Sequence, residues 1–163
     1  MLFEHSINLN PVHGESFYNL ALLELMNKNI KAALYLLDKA DKITPNDYVY
    51  FYKGIAHSFV SQYKEAIKAF ELSNLETYKK FLFLGNAYFF NKDYKNAIDA
   101  YKWANINQET PIAHYNIYLA CKAAQEDELA NVYLDRAMAL DKKLELKSLP
   151  YYPSIEYIAL CKL

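Results

Sequence analysis

The run from Gly85 to Ala104, GNAYFFNKDYKNAIDAYKWA, limits what this chain can fold into more than any other stretch. Gly85 and Tyr88 share one helical face, and Ala97, Tyr101 and Ala104 share a second. Asn91-Lys92-Asp93 between them reads as a turn, so two antiparallel helices are predicted. Helices that cross closely need a missing side chain opposite a bulky one. Gly85 and Ala97 therefore mark the contact, with Tyr88 and Tyr101 filling the space beside it. Neither helix could bury its apolar stripe alone.

The pattern recurs, and recurrence at this spacing implies a stack of repeats. Gly54, His57, Ala66, Phe70 and Ser73 lie 31 residues upstream of it, and Ala21, Glu24, Ala33, Leu37 and Ala40 a further 33 upstream. Tyr118, Cys121, Ala130, Leu134 and Ala137 lie 33 residues downstream. Repeats are predicted at 15–45, 46–76, 77–109 and 110–142, with helices near 15–27, 30–42, 47–60, 63–74, 77–90, 94–106, 111–123 and 127–140. Residues 1–14 are assigned to an N-terminal arm and 143–163 to a link and a C-terminal capping helix. Thr44-Pro45 should close the first pair, Asn46 or Asp47 should cap the next helix, and Thr110 should cap a helix begun by Pro111.

With these residues the chain resembles the tetratricopeptide repeat family, whose W-x2-L-G-x2-Y, A-x3-F and Pro pattern is met best by Phe81, Leu84, Gly85, Tyr88, Ala97 and Tyr101. The resemblance implies an all-α fold, a right-handed α-solenoid of about four helix hairpins followed by a C-terminal helix. Two departures carry expectations of their own. The 31-residue interval from Gly54 to Gly85 should shorten the connection after the second helix of its repeat and make that turn tight. Tyr118 stands where the fourth repeat needs a small residue, so its two helices should sit farther apart or at a shifted angle.

Three Gly and 5 Pro among 163 residues, with 53% hydrophobic, leave little material for long loops and exclude a disordered chain. One domain is expected from this length. A formal net charge of −1 offers no electrostatic attraction to nucleic acid or to an anionic membrane. No apolar run approaches membrane-spanning length, and the first residues lack the basic start and apolar run of a signal peptide. Cys121 and Cys161 are accordingly expected to be reduced, and the protein cytoplasmic.

Catalysis would need a nucleophile, a base or a metal cluster, for which the candidates are His5, His13, His57, His114, Cys121 and Cys161. They form no motif: HExxH, CxxC, GxSxG and a phosphate-binding glycine loop are all missing. His57 and Cys121 occupy the packing position of Tyr88 in their own repeats. No enzyme activity, cofactor or metal site is expected. Glu126-Asp127-Glu128 and Lys142-Lys143 fall at helix ends, where they complement the helix dipole without a ligand.

The first helix of every repeat carries a second apolar stripe, one residue out of step with the packing stripe: Tyr18, Leu22 and Met26; Phe51, Ile55 and Phe59; Leu82, Asn86 and Phe90; Tyr115 and Leu119. By resemblance to tetratricopeptide proteins, this face lines a concave groove that holds an extended peptide or a helix. The contact residues expected there are Tyr18, Leu22, Phe51, Ile55, Phe59, Leu82, Asn86, Phe89, Tyr115 and Leu119, with Asn86 pairing to a ligand's main chain. Any one of them could equally pack between neighbouring repeats. The family's carboxylate clamp uses Lys, Arg and Asn where this chain has Tyr18, Leu22, Tyr52, Phe83 and Lys79, so only Lys79 fits and an apolar or aromatic-rich ligand is implied instead.

The expected function is a non-catalytic protein–protein interaction module. The alternative is a self-associating building block, a homodimer formed through the groove or through Ile155 and Ile158 of the unusually apolar last helix.

Overall fold

The computed structural model describes residues 14–144 and Pro150. They form eight helices and no strand: α1 (Gly14–Met26), α2 (Ile30–Ile43), α3 (Asp47–Phe59), α4 (Tyr63–Leu72), α5 (Tyr78–Phe90), α6 (Tyr94–Asn107), α7 (Pro111–Ala123) and α8 (Asp127–Leu140). Gly14 belongs to α1, so the assigned arm is shorter by one residue. The rest of the arm and the C-terminal helix, with His5, His13, Ile155, Ile158 and Cys161, lie outside the described residues.

The helices pair as hairpins α1–α2, α3–α4, α5–α6 and α7–α8. The described residues fall into two compact units, one running to Leu75 and the other from Glu76.

Within each hairpin the crossing is set by the position read from the sequence. A Cβ built on Gly54 would lie 2.5 Å from Cε1 of Phe70, and one on Gly85 would overlap the ring of Tyr101. In the first repeat the same two positions are Ala21 and Leu37, both buried. In the fourth, Tyr118 packs at the edge of the core, its ring 5.3 Å from that of Tyr115, while the position of Phe70 and Tyr101 shrinks to Leu134. Bulk has moved from one helix to the other, which keeps the volume between them filled.

Each hairpin turns through a residue in the left-handed region: Lys28 (φ 62°), Ser61 (58°), Lys92 (64°) and Gln125 (63°). Around Lys28, the amide of Asn29 donates to Glu24 O at 2.8 Å and that of Lys28 to Leu25 O at 3.0 Å. The same two bonds recur at the other three turns, closing the first helix of each repeat with a Schellman motif. The first helices of the second and fourth repeats, α3 and α7, are capped as their sequences indicate. Asn46 Oδ1 accepts from the amides of Tyr48 and Val49, both at 3.0 Å, and Thr110 Oγ1 accepts from Ala113 at 3.1 Å ahead of Pro111.

The short repeat interval is absorbed differently from expectation. Helices α2, α6 and α8 have 14 residues each, whereas α4 has 10 and ends two residues before its predicted limit. The connection after α4 is therefore the long one, Ser73 to Thr77, not a tight turn. Ser73 stands where the other repeats carry Ala40, Ala104 and Ala137. Its hydroxyl donates to Asp47 O at 2.9 Å, and the poor helix formers Ser73 and Asn74 follow one another.

Two polar features hold neighbouring repeats together within the units. In the first, Lys53 Nζ of α3 lies 2.8 Å from Asp38 Oδ1 and 2.9 Å from Asp41 Oδ2, both of α2. In the second, Asn86 Oδ1 of α5 accepts from the Tyr101 hydroxyl of α6 at 2.8 Å and from Asn116 Nδ2 of α7 at 3.3 Å.

Candidate partner-binding faces

The ten residues expected to line a groove divide evenly by exposure. In the first unit Tyr18, Leu22 and Phe59 are partly exposed, whereas Phe51 and Ile55 are buried, at 2% and 1%. The Phe51 ring centroid is 5.2 Å from Tyr52 and 6.0 Å from Phe70 of α4, so it packs inside its own hairpin. Tyr18 sets its ring edge against Tyr52 at 5.8 Å, and burial, with Tyr52 and Tyr48 beside it, raises its phenol pKa.

In the second unit Phe89 and Leu119 are partly exposed, and Leu82, Asn86 and Tyr115 are buried. Leu82 belongs to the core cluster with Ile98, Tyr101 and Ile117. Phe89 leans on Phe90 and Tyr94, with centroids 5.6 and 5.5 Å away. Asn86 is 0% exposed, and its carbonyl oxygen already accepts from Tyr101 and Asn116. The expected pairing of Asn86 with a ligand's main chain is thus replaced by a bond inside the repeat stack. A buried tyrosine hydroxyl needs a partner more than a groove needs a polar floor. The side chains of the set that keep some exposed surface are Tyr18, Leu22 and Phe59 in one unit and Phe89 and Leu119 in the other. Of the clamp positions, Tyr52 and Phe83 are buried and Lys79 is half-buried.

Two exposed features went unforeseen. On α6, Trp103 is 54% exposed and Ile106 71%, and the Trp103 ring stacks on Phe81 at 6.0 Å. These side chains lie outside both stripes that the repeat pattern defines, so periodicity gave no signal for them; the only cue was an aromatic at a position where the other repeats carry Lys39, Leu72 and Arg136.

The titratable candidates are engaged in local structure. His57 Nδ1 lies 2.7 Å from Gln62 Oε1, at the turn that follows its helix. His114 is buried, with Nε2 2.9 Å from Glu109 Oε1 and Nδ1 3.3 Å from Asn105 Nδ2. Nδ1 accepting from the Asn105 amide leaves Nε2–H to donate to the carboxylate. Cys121 is buried and its thiol is pushed up to about 11, first by burial and then by Glu126. In a Cys161→Ser background, Cys121 should react with a disulfide reagent at pH 8 about two orders of magnitude more slowly than in the unfolded chain, because the thiolate is the reacting form. A folded-state rate equal to that in guanidinium chloride would show that the site is open. Among the described residues no group of three or more His, Cys, Asp or Glu is placed to hold a metal, and no helix is long and apolar enough to cross a membrane.

Helix hairpins that turn alike and repeat at 31–33 residues, the first three crossing over an alanine or a glycine, define the tetratricopeptide-repeat fold, and that is the fold of this protein. It superposes on the structure of MamA residues 41 to the end from Desulfovibrio magneticus RS-1 with a TM-score of 0.81 at 18% identity, covering 88% of this chain and 84% of that one. A second MamA crystal structure gives 0.81 at 20% identity over 86% and 85% of the two chains. YrrB, described as a TPR protein with an unusual peptide-binding site, gives 0.79 at 20% identity over 87% and 76%. No protein-family model matches the sequence, and no curated protein does.

Proposed function

We propose that the protein is a non-catalytic interaction module that binds a peptide or amphipathic helix through apolar and aromatic side chains on the first helices of its repeats. The observation that carries this reading is the partial exposure of Tyr18, Leu22 and Phe59 in one unit and of Leu119 in the other, on the stripe that the repeat pattern leaves unused by hairpin packing, with Phe89, which also leans on Tyr94 of its own hairpin, partly exposed beside it. Large, stiff aromatic side chains give contact area at low entropic cost, which suits an apolar ligand. A peptide-binding site on a neighbour of the same fold, YrrB, is consistent with it. A second reading, self-association, draws on Trp103 and Ile106, since apolar groups this exposed favour a protein contact.

The test places a photo-crosslinking amino acid at Leu22, Phe59 or Leu119, and for comparison at Tyr35, Trp103 or Ile106, in the cells that make the protein. The first three positions should give adducts of one defined mass, while Tyr35 gives none. Adducts from Trp103 or Ile106 at twice the mass of the chain, with none from the first set, would replace the module by the self-associating reading.

A further inference from the structure

The repeat pattern accounts for the inward side of α8 but not for part of its outward side. Ala130, Tyr133 and Ala137 are buried, as Ala97, Ala100 and Ala104 are at the same positions of α6. Leu129 and Val132, one position out of step with them, are 37% and 46% exposed. The two middle repeats have Glu65 and Lys68 or Asn96 and Asp99 in their place, all exposed, so hairpin packing asks for no apolar group there. With Gln125, Glu126, Asp127 and Glu128, the two apolar side chains line an open cleft of about 590 Å³.

The charges around this cleft leave one sign over. Lys122 Nζ is taken by Asp127 Oδ1 at 2.6 Å, and the Arg136 guanidinium lies over the Tyr133 ring, 5.3 Å from its centroid. Glu126, Glu128 and Asp135 are exposed and have no ion pair among the described residues. Glu128 precedes Val132 by one turn and Asp135 follows it by one, so the two carboxylates flank it on the same side of the helix. Acidic residues in the first turn also suit the helix dipole, but the dipole gives no role to Asp135, two turns further on, or to the exposed Leu129 and Val132.

We propose that this cleft docks a basic amphipathic helix of another protein, with an apolar side chain filling the space beside Leu129 and Val132 and Lys or Arg on either side pairing with Glu128 and Asp135. Charge complementarity selects the occupant: the cations of the site are engaged within the chain and these carboxylates are not. The apolar contact supplies affinity, and the carboxylates decide which helices are accepted. The surface stands on the second helix of its hairpin, so it is separate from the first-helix stripe that holds Leu119.

The probe is a fluorescein-labelled synthetic helix of leucine and lysine, with a leucine–glutamate helix of the same spacing as its counterpart, each titrated by anisotropy against the full chain at low ionic strength. The lysine helix should bind about tenfold more tightly than the glutamate helix. Glu128→Gln combined with Asp135→Asn should weaken it about tenfold and Val132→Ser severalfold, both with an unchanged urea midpoint because the side chains are exposed. Leu119→Ser should leave it unaltered. No binding of the lysine helix, or equal binding of the two helices, would overturn the proposal. So would binding that falls with Leu119→Ser and not with the α8 variants, which would assign the peptide to the first-helix stripe. A chain that sediments as a dimer and becomes a monomer on Val132→Ser would replace the foreign helix by a second copy.

Discussion

Gly85→Leu should lose about 3 kcal/mol of stability, seen as a lower urea midpoint, because the added side chain has nowhere to go. Its Cβ alone would overlap the ring of Tyr101. That ring is fully buried, and its hydroxyl donates to Asn86, so it cannot step aside without breaking a buried hydrogen bond. Gly54→Leu meets Phe70, which is equally buried but carries no hydroxyl and can rotate without breaking a bond. The Gly85 variant should therefore be the worse of the two. Equal midpoints for Gly85→Leu and the parent protein would refute the register of the α5–α6 hairpin.

The opposite effect is expected at the turns. Lys28, Ser61, Lys92 and Gln125 hold positive φ, which costs a residue with a Cβ about 1–2 kcal/mol, whereas glycine adopts it freely and loses about 0.5–1 kcal/mol in unfolded-state entropy. Replacing all four by glycine should stabilise the protein by about 2–4 kcal/mol in sum, since each turn is closed by hydrogen bonds within its own hairpin. Single variants should each contribute a share. A quadruple variant no more stable than the parent would mean that other contacts of these residues outweigh the backbone relief.

The hairpins, their boundaries to within two residues, the crossing positions at Gly54 and Gly85 and the caps at Asn46 and Thr110 were legible in the chain. These features depend on residues close in sequence, where side-chain period, missing side chains and first-turn hydrogen bonds act locally. The candidate faces were legible as stripes but not as surfaces. Periodicity places Phe51 and Phe59 on one side of α3, yet only the packing of Phe51 against Phe70, on the next helix, decides that the first is buried and the second partly open. Asn86 shows the same limit more sharply. Alone on its stripe it resembles a ligand contact, but Tyr101 and Asn116, on two other helices, already occupy its oxygen. The early end of α4 was also hidden, because the bond from Ser73 to Asp47 joins residues 26 apart. Local pattern decides which residues form helices and which side of each helix is apolar; exposure, polar pairing and the place where the stack divides depend on atoms that meet only after the repeats have folded.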